Sequence, residues 1–212
     1  YLAIVGRVGR PEDQLPKGVK FTHVGIAVYS TMFGEDGKKY PGYAFYNLYQ
    51  SSKTPSRSQL VIDAPSQFFA TTSTVKAGVI IPTAELQGRL LKILTTEHYA
   101  ALHRQPYSVI SNPYTLDFQN CTEFVADLIT AAIYDTENPL QIKANQRAYF
   151  EPVKLQLSKA KLTVASLFSS GVSLSDHDGP VQIATFQAIA NFLERHAALK
   201  ESFVLCGAQK QC

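Results

Sequence analysis

Where the periodicities lie narrows the fold of this chain more than any other feature. Extended, β-branched or aromatic runs occupy residues 1–8, 21–29, 43–49, 60–63 and 75–81, and helical spacing dominates from Pro82 onward. Strands gathered at one end and helices at the other indicate an α+β domain with an antiparallel sheet packed against helices. The runs at 21–29 and 43–49, separated by the turn-rich residues 34–39, are expected to pair as an antiparallel hairpin with a long connection. Residues 65–69 read as a short helix. Residues 83–94 read as a helix with Leu86, Leu90 and Ile93 or Leu94 at core spacing. Residues 141–150 read as a helix exposing Asn145, Gln146 and Arg147, and residues 183–199 as an amphipathic helix with Phe186, Ile189, Ala190 and Leu193 on one side. Residues 51–58, 113–120 and 169–180 read as loops, residues 107–112 as a short extended run, and residues 155–168 are mixed. No repeat, low-complexity tract or compositional break divides the 212 residues. One domain over 1–212 is expected, ending in a short Cys-containing tail at 200–212.

Within the helical part, Asp117-Phe118-Gln119-Asn120-Cys121-Thr122-Glu123-Phe124-Val125 places a lone mid-chain cysteine at the first turn of a helix. Asn120 is a good N-cap, and Glu123, three residues on, can reach back to the cap amide. Phe124, Leu128, Ala131 and Ala132 give that helix one apolar face. Unpaired N–H groups and the positive end of the helix dipole favour thiolate over thiol, the condition for a nucleophilic cysteine. The bland account of Cys121 is a small buried core residue.

A cysteine nucleophile needs a base, and the base needs a third group to hold its ring. His23 lies inside an apolar strand with only Gly25 and Ala27 beside it on the same face, which leaves space before the ring. Asn47 is a polar amide inside the next, aromatic strand, placed to fix the imidazole through its second nitrogen. Singly, each reads as a satisfied core or strand-end residue. With a cysteine at a helix start, the three read as a site. The oxyanion of such a site is expected to meet the Cys121 N–H plus a second donor, with Gln119 and Tyr114 as candidates. Arg7 and Arg10 form a basic rim that can bind a substrate carboxylate, with solvated strand-end charge as the plain alternative. His177 between Asp176 and Asp178 reads as a loop cap before it reads as a substrate or metal site, because no fourth ligand accompanies it. His98, His103 and His196 sit in polar surroundings and need no special role.

The blocks Thr22-His23-Val24-Gly25-Ile26, Tyr46-Asn47-Leu48 and Asn120-Cys121-Thr122-Glu123-Phe124-Val125 resemble the circularly permuted papain-like proteins of the NlpC-like superfamily. In those proteins the His strand precedes the Cys helix. Within that group, Val5-Gly6-Arg7, His23-Val24-Gly25, Asn47 and Asp176-His177 are similar to a family of bacterial exported proteins of unknown function, over residues 1 to 195. The resemblance implies Cys121 as nucleophile, His23 as general base and Asn47 as orienting residue, with no cofactor. Many members of that family carry His where this chain has Asn47, and some lack the cysteine. The implied activity is a thiol hydrolase or acyltransferase acting on an amide or ester, with cell-wall peptides as the leading substrate class and lipid or thioester acyl groups as others. The alternative is a catalytically silent peptide- or lipid-binding module on the same scaffold.

Composition sets the outer limits. With 45% hydrophobic and 17% charged residues the chain is that of an ordinary globular protein, and a net charge of +3 without Lys/Arg runs argues against a nucleic-acid partner. No apolar run approaches the roughly 18 residues of a membrane-spanning helix. A chain opening directly inside an apolar strand is expected to be a processed, periplasmic or secreted form whose leader has been removed. Cys206 and Cys212 can close a small disulfide loop in such an oxidising compartment, or remain two thiols.

Overall fold

The computed structural model describes residues 1–33, 36–72, 74–156 and 171–207. In chain order its elements are β1 (Leu2–Arg7), a 3-10 turn (Glu12–Gln14), β2 (His23–Phe33), β3 (Lys39–Gln50), β4 (Ser58–Asp63), α1 (Pro65–Phe69), β5 (Lys76–Pro82), α2 (Ala84–Leu94), α3 (His98–Ala101), α4 (Cys121–Tyr134), α5 (Pro139–Tyr149), β6 (Val153–Lys154), β7 (Gln182–Ile183), α6 (Phe186–Arg195) and β8 (Leu199–Cys206). Six strands form one antiparallel sheet in the order β4-β3-β2-β1-β5-β8, while β6 and β7 make a separate small pair. The α+β reading therefore holds. Among the described residues no helix is long and apolar enough to cross a membrane.

Strand alternation divides the sheet into two unequal faces. Ile4, Val24, Ile26, Leu48 and Ile80 point into the main core, where they meet Leu90 of α2, Phe124 and Leu128 of α4 and Phe192 of α6. Each such fully buried side chain stabilises the fold by about 1.5–3 kcal/mol. The opposite face carries a small cluster of Val5, Ala27, Phe45 and Ala77 under Phe68 of α1. Gly6 and Gly78 pair across β1 and β5, and the rings of Phe21 and Phe186 lie over both: a Cβ on Gly78 would meet each ring at 2.7 Å. Two missing side chains thus let α6 dock against the sheet.

Several expectations are corrected here. The β2–β3 hairpin pairs from Ile26↔Tyr46 out to Phe33↔Lys39, so its connection is residues 34–38 and not a long loop. Residues 199–206 are not a tail but an edge strand, paired with β5 from Lys76↔Cys206 to Pro82↔Leu199; α6 accordingly stops at Arg195, and Ala197 turns the chain at φ 51. Residues 107–112 are irregular around a turn closed by the Ser111 N–H on the Ser108 carbonyl, and Gln146 is buried because its amide donates to Asp127 and Thr130. α4 does not bury one face only, since every residue from Cys121 to Ala132 is buried between β2 and β3 on one side and α2 and α5 on the other. Most of the mixed stretch 155–168 lies outside the described residues. So does Cys212, and with it the expected Cys206–Cys212 loop.

Candidate active site

The site forms where the first residue of β2 meets the first residue of α4. On β2, His23, Gly25 and Ala27 share the α1 side of the sheet, and the His23 ring stacks on Tyr49 of β3 at 4.6 Å between centroids and packs near Phe68. Asn47 of β3 is 1% exposed and sets its Oδ1 3.1 Å from His23 Nε2. Its Nδ2 donates to the Phe45 carbonyl at 2.8 Å and to Asp63 Oδ2 at 3.2 Å. Because both amide hydrogens point away from the ring, Oδ1 can only accept from it. His23 therefore carries its proton on Nε2 and keeps Nδ1 for another partner. Gly25 makes this contact possible: a Cβ there would strike Asn47 Oδ1 and come within 3.1 Å of Phe68. Asp63 also accepts from the Tyr49 hydroxyl at 2.7 Å, so Tyr49 and Asp63 brace the amide from behind.

α4 opens at Cys121 behind an Asn120 cap whose side-chain oxygen accepts from the N–H of Thr122 and of Glu123, each at 3.0 Å. Asn120 is held in turn by its own amide donating to the Val109 carbonyl. The N–H of Cys121, first of the helix, is left without an acceptor among the described residues. Burial of the thiol pushes its pKa up. The positive charge of His23, a hydrogen bond with its ring, the Val24 N–H and the Thr122 hydroxyl outweigh that and bring it from 9.0 down to about 7. Cys121 is the free cysteine among the described residues, and Cys206 is disulfide-bonded.

A cavity of about 520 Å³ opens on this pair, lined by Arg7, Arg10, His23, Tyr49, Tyr107, Val109, Ile110, Cys121 and Thr122 among others. Tyr107 lines the same cavity as the thiol; burial, with the Cys121 charge adding to it, raises its phenol pKa, and its hydroxyl makes no hydrogen bond to the described residues. A carbonyl carbon brought to Cys121 Sγ thus has two free donors nearby, the Cys121 N–H and the Tyr107 hydroxyl.

The two candidates for that second donor, Gln119 and Tyr114, lie elsewhere. The Gln119 side chain is fully buried, accepting from the Arg104 N–H and donating to Asp127 at 2.7 Å and to the Leu102 carbonyl. The Tyr114 hydroxyl donates to the Phe150 carbonyl at 2.8 Å. Neither lines the cavity. Glu123 does not close a capping box, because its Oε1 accepts instead from Lys143 at 2.7 Å and Arg104 at 2.8 Å. His177 is also off the cavity. Its Nε2 donates to the Ile110 carbonyl at 2.7 Å while Asp176 accepts from the Asn112 N–H, which pins residues 171–180 to the loop supplying Val109 and Ile110. His98 pairs with Glu137, His103 with Ser58, and His196 with Tyr134 and the Phe192 carbonyl. Arg7 and Arg10 both line the cavity, but Arg7 is 7% exposed and so is not a solvated strand end. Asp63, Tyr49 and Tyr107 were not singled out from sequence. Tyr49 shares the period-2 face of Asn47, and Asp63 is the one carboxylate ending an apolar strand; nothing local marks Tyr107.

No curated protein and no solved structure matches the chain. Residues 1–193 match the family model described as an uncharacterized protein conserved in bacteria (DUF2145), and the chain belongs to that bacterial family.

Proposed function

We propose that this chain is a cysteine hydrolase or acyltransferase of the permuted papain-like type. It acts on an amide or ester bond, with cell-wall peptides as the leading substrate class, in the periplasm or outside the cell. The observation that carries the reading is the His23 ring held between the Cys121 thiol and the Asn47 amide oxygen. In the first half-reaction the Cys121 thiolate attacks the substrate carbonyl while His23 holds the proton on Nδ1. The Cys121 N–H and Tyr107 hydroxyl donate to the oxyanion. Collapse breaks the bond to the leaving amine or alcohol, which takes the His23 Nδ1 proton, and leaves a thioester on Cys121. In the second, His23 Nδ1 removes a proton from water or an acceptor hydroxyl or amine, which attacks the thioester and releases the thiolate. Asn47, steadied by Asp63, keeps Nδ1 aimed at sulfur through both halves.

Alkylation by iodoacetamide across about pH 5 to 10, read by mass spectrometry of the intact chain, tests this. Cys121 is expected to react with a midpoint of about 7, and Cys121→Ala to remove the modification. His23→Ala should return the midpoint toward 9.0. It should slow the reaction at pH 7 about fiftyfold, as thiolate falls from about half of the population to about one hundredth. A Cys121 inert throughout that range would replace catalysis with the silent binding-module reading.

A further inference from the structure

The acyl-enzyme chemistry leaves unused the charge of the cavity wall. Among the described residues lining it, Arg7 and Arg10 are cationic and none is Asp or Glu. Arg7 ends β1 opposite His23 in the strand register, so both side chains leave the same face of the sheet. Its guanidinium lies over the Phe68 ring, 5.4 Å from the centroid, and hydrogen-bonds the Tyr49 hydroxyl. It forms no ion pair with any described carboxylate, and its Nε is buried without a hydrogen-bond partner. A guanidinium more than nine-tenths buried, linked to a carboxylate only through the Tyr49 hydroxyl that donates to Asp63 and left with a bare Nε, can take an anion of its own, and its planar fork matches a carboxylate. The wall beside it is open for the same reason: Gly9 has no side chain, and a Cβ there would meet Arg7 Nη1 at 3.4 Å and Thr22 Oγ1 at 3.1 Å. Arg10 stands exposed at the rim.

We infer that the cavity takes acyl substrates carrying a carboxylate close to the scissile carbonyl, as in an acidic peptide, with Arg7 as the carboxylate-binding residue and Arg10 drawing the anion in from the rim. This rests on Cys121 being the nucleophile. The paired reagents iodoacetate and iodoacetamide separate the two ideas, because both alkylate a thiolate by displacing iodide and differ only in carrying a carboxylate or a carboxamide. The quantity read is the ratio of the two Cys121 rates, in which any change in thiolate supply cancels, compared with the same ratio for N-acetylcysteine. The full chain is expected to favour iodoacetate about tenfold more than the free thiol does, the size of a charge-assisted hydrogen bond. Arg7→Gln should return the ratio to the free-thiol value. Arg7→Lys, which keeps the charge without the fork, should retain part of the preference, and Arg10→Ala should lower it less than Arg7→Gln. If Arg7→Gln does not fold, succinate should protect Cys121 of the unaltered chain from iodoacetamide where succinamide does not. A free-thiol ratio in the unaltered chain, or a preference that survives Arg7→Gln, overturns this inference and leaves the nucleophile standing. A Cys121 inert to both reagents overturns both.

Discussion

One carbon atom decides whether His23 keeps its orienting partner. Gly25 lies beneath the Asn47 side chain, and the methyl of Gly25→Ala would occupy the space of Oδ1. Losing the acceptor at Nε2 frees the ring to turn, and the thiolate loses its best counter-charge. Gly25→Ala is therefore expected to slow Cys121 alkylation at pH 7 by about tenfold, to move its midpoint from about 7 toward 9.0, and to cost about 1–3 kcal/mol of stability from overpacking. The alkylation profile and thermal unfolding read the two effects separately. An unchanged profile would mean that the amide does not hold the ring. The same reasoning distinguishes Tyr49, whose phenol is pushed up to about 12 by burial and by Asp63, with Arg7 opposing. It stays neutral through the working range and serves as a donor.

At the scale of an element, α4 is a helix buried with its charges. Asp127 accepts from Lys143, Gln146, Gln119 and Arg104, whereas Glu123 takes Lys143 and Arg104 on one oxygen and has none for Oε2. Lys143→Met would leave two buried carboxylates sharing the single cation Arg104, with the Gln119 and Gln146 amides on Asp127, and is expected to destabilise by about 3–5 kcal/mol. Burial raises Glu123 from 4.5 to about 7, with Lys143 opposing, while the donors around Asp127 hold it below its ordinary value. A carboxyl raised in the fold binds a proton that the unfolded chain has already released. Its contribution to stability is therefore lost as pH climbs from about 4.5 to about 7. Denaturant unfolding of Glu123→Gln should accordingly show a flatter pH dependence across that window than the unaltered chain. An identical slope would place the titration elsewhere. The cluster anchors the first two turns of α4, so it also fixes the direction in which Cys121 meets β2.

For the molecule as a whole, the sheet runs through a strand that reads as a tail. β8 covers the outer edge of β5, whose Ala77 and Val79 are each 9% exposed, and it follows directly on α6. A chain ending at Ala198 would bare that edge, a template for pairing with other chains. Truncation there is expected to lower the unfolding temperature and to bring light scattering with unfolding. A truncated chain as stable and as soluble as the full one would mean that Phe186 on Gly78, and not β8, secures β5. The site lies three strands away at β2–β3, so thiol reactivity below the transition should persist.

Local order was legible from the residues themselves. Period-2 and period-3.6 patterns located the sheet and helix segments, Asn120 marked the start of α4, and a histidine and an amide inside apolar strands stood out because burying them needs a partner. Those are properties of neighbours along the chain. What neighbours cannot decide is which distant groups share a pocket. The cavity residue Tyr107, the bracing carboxylate Asp63 and the ion cluster around Asp127 are brought together from separate segments of the chain. For the same reason Gln119 and Tyr114, shortly before Cys121 in the chain, proved to be bonded elsewhere, and residues 199–206 became a strand only because β5 offered them an edge.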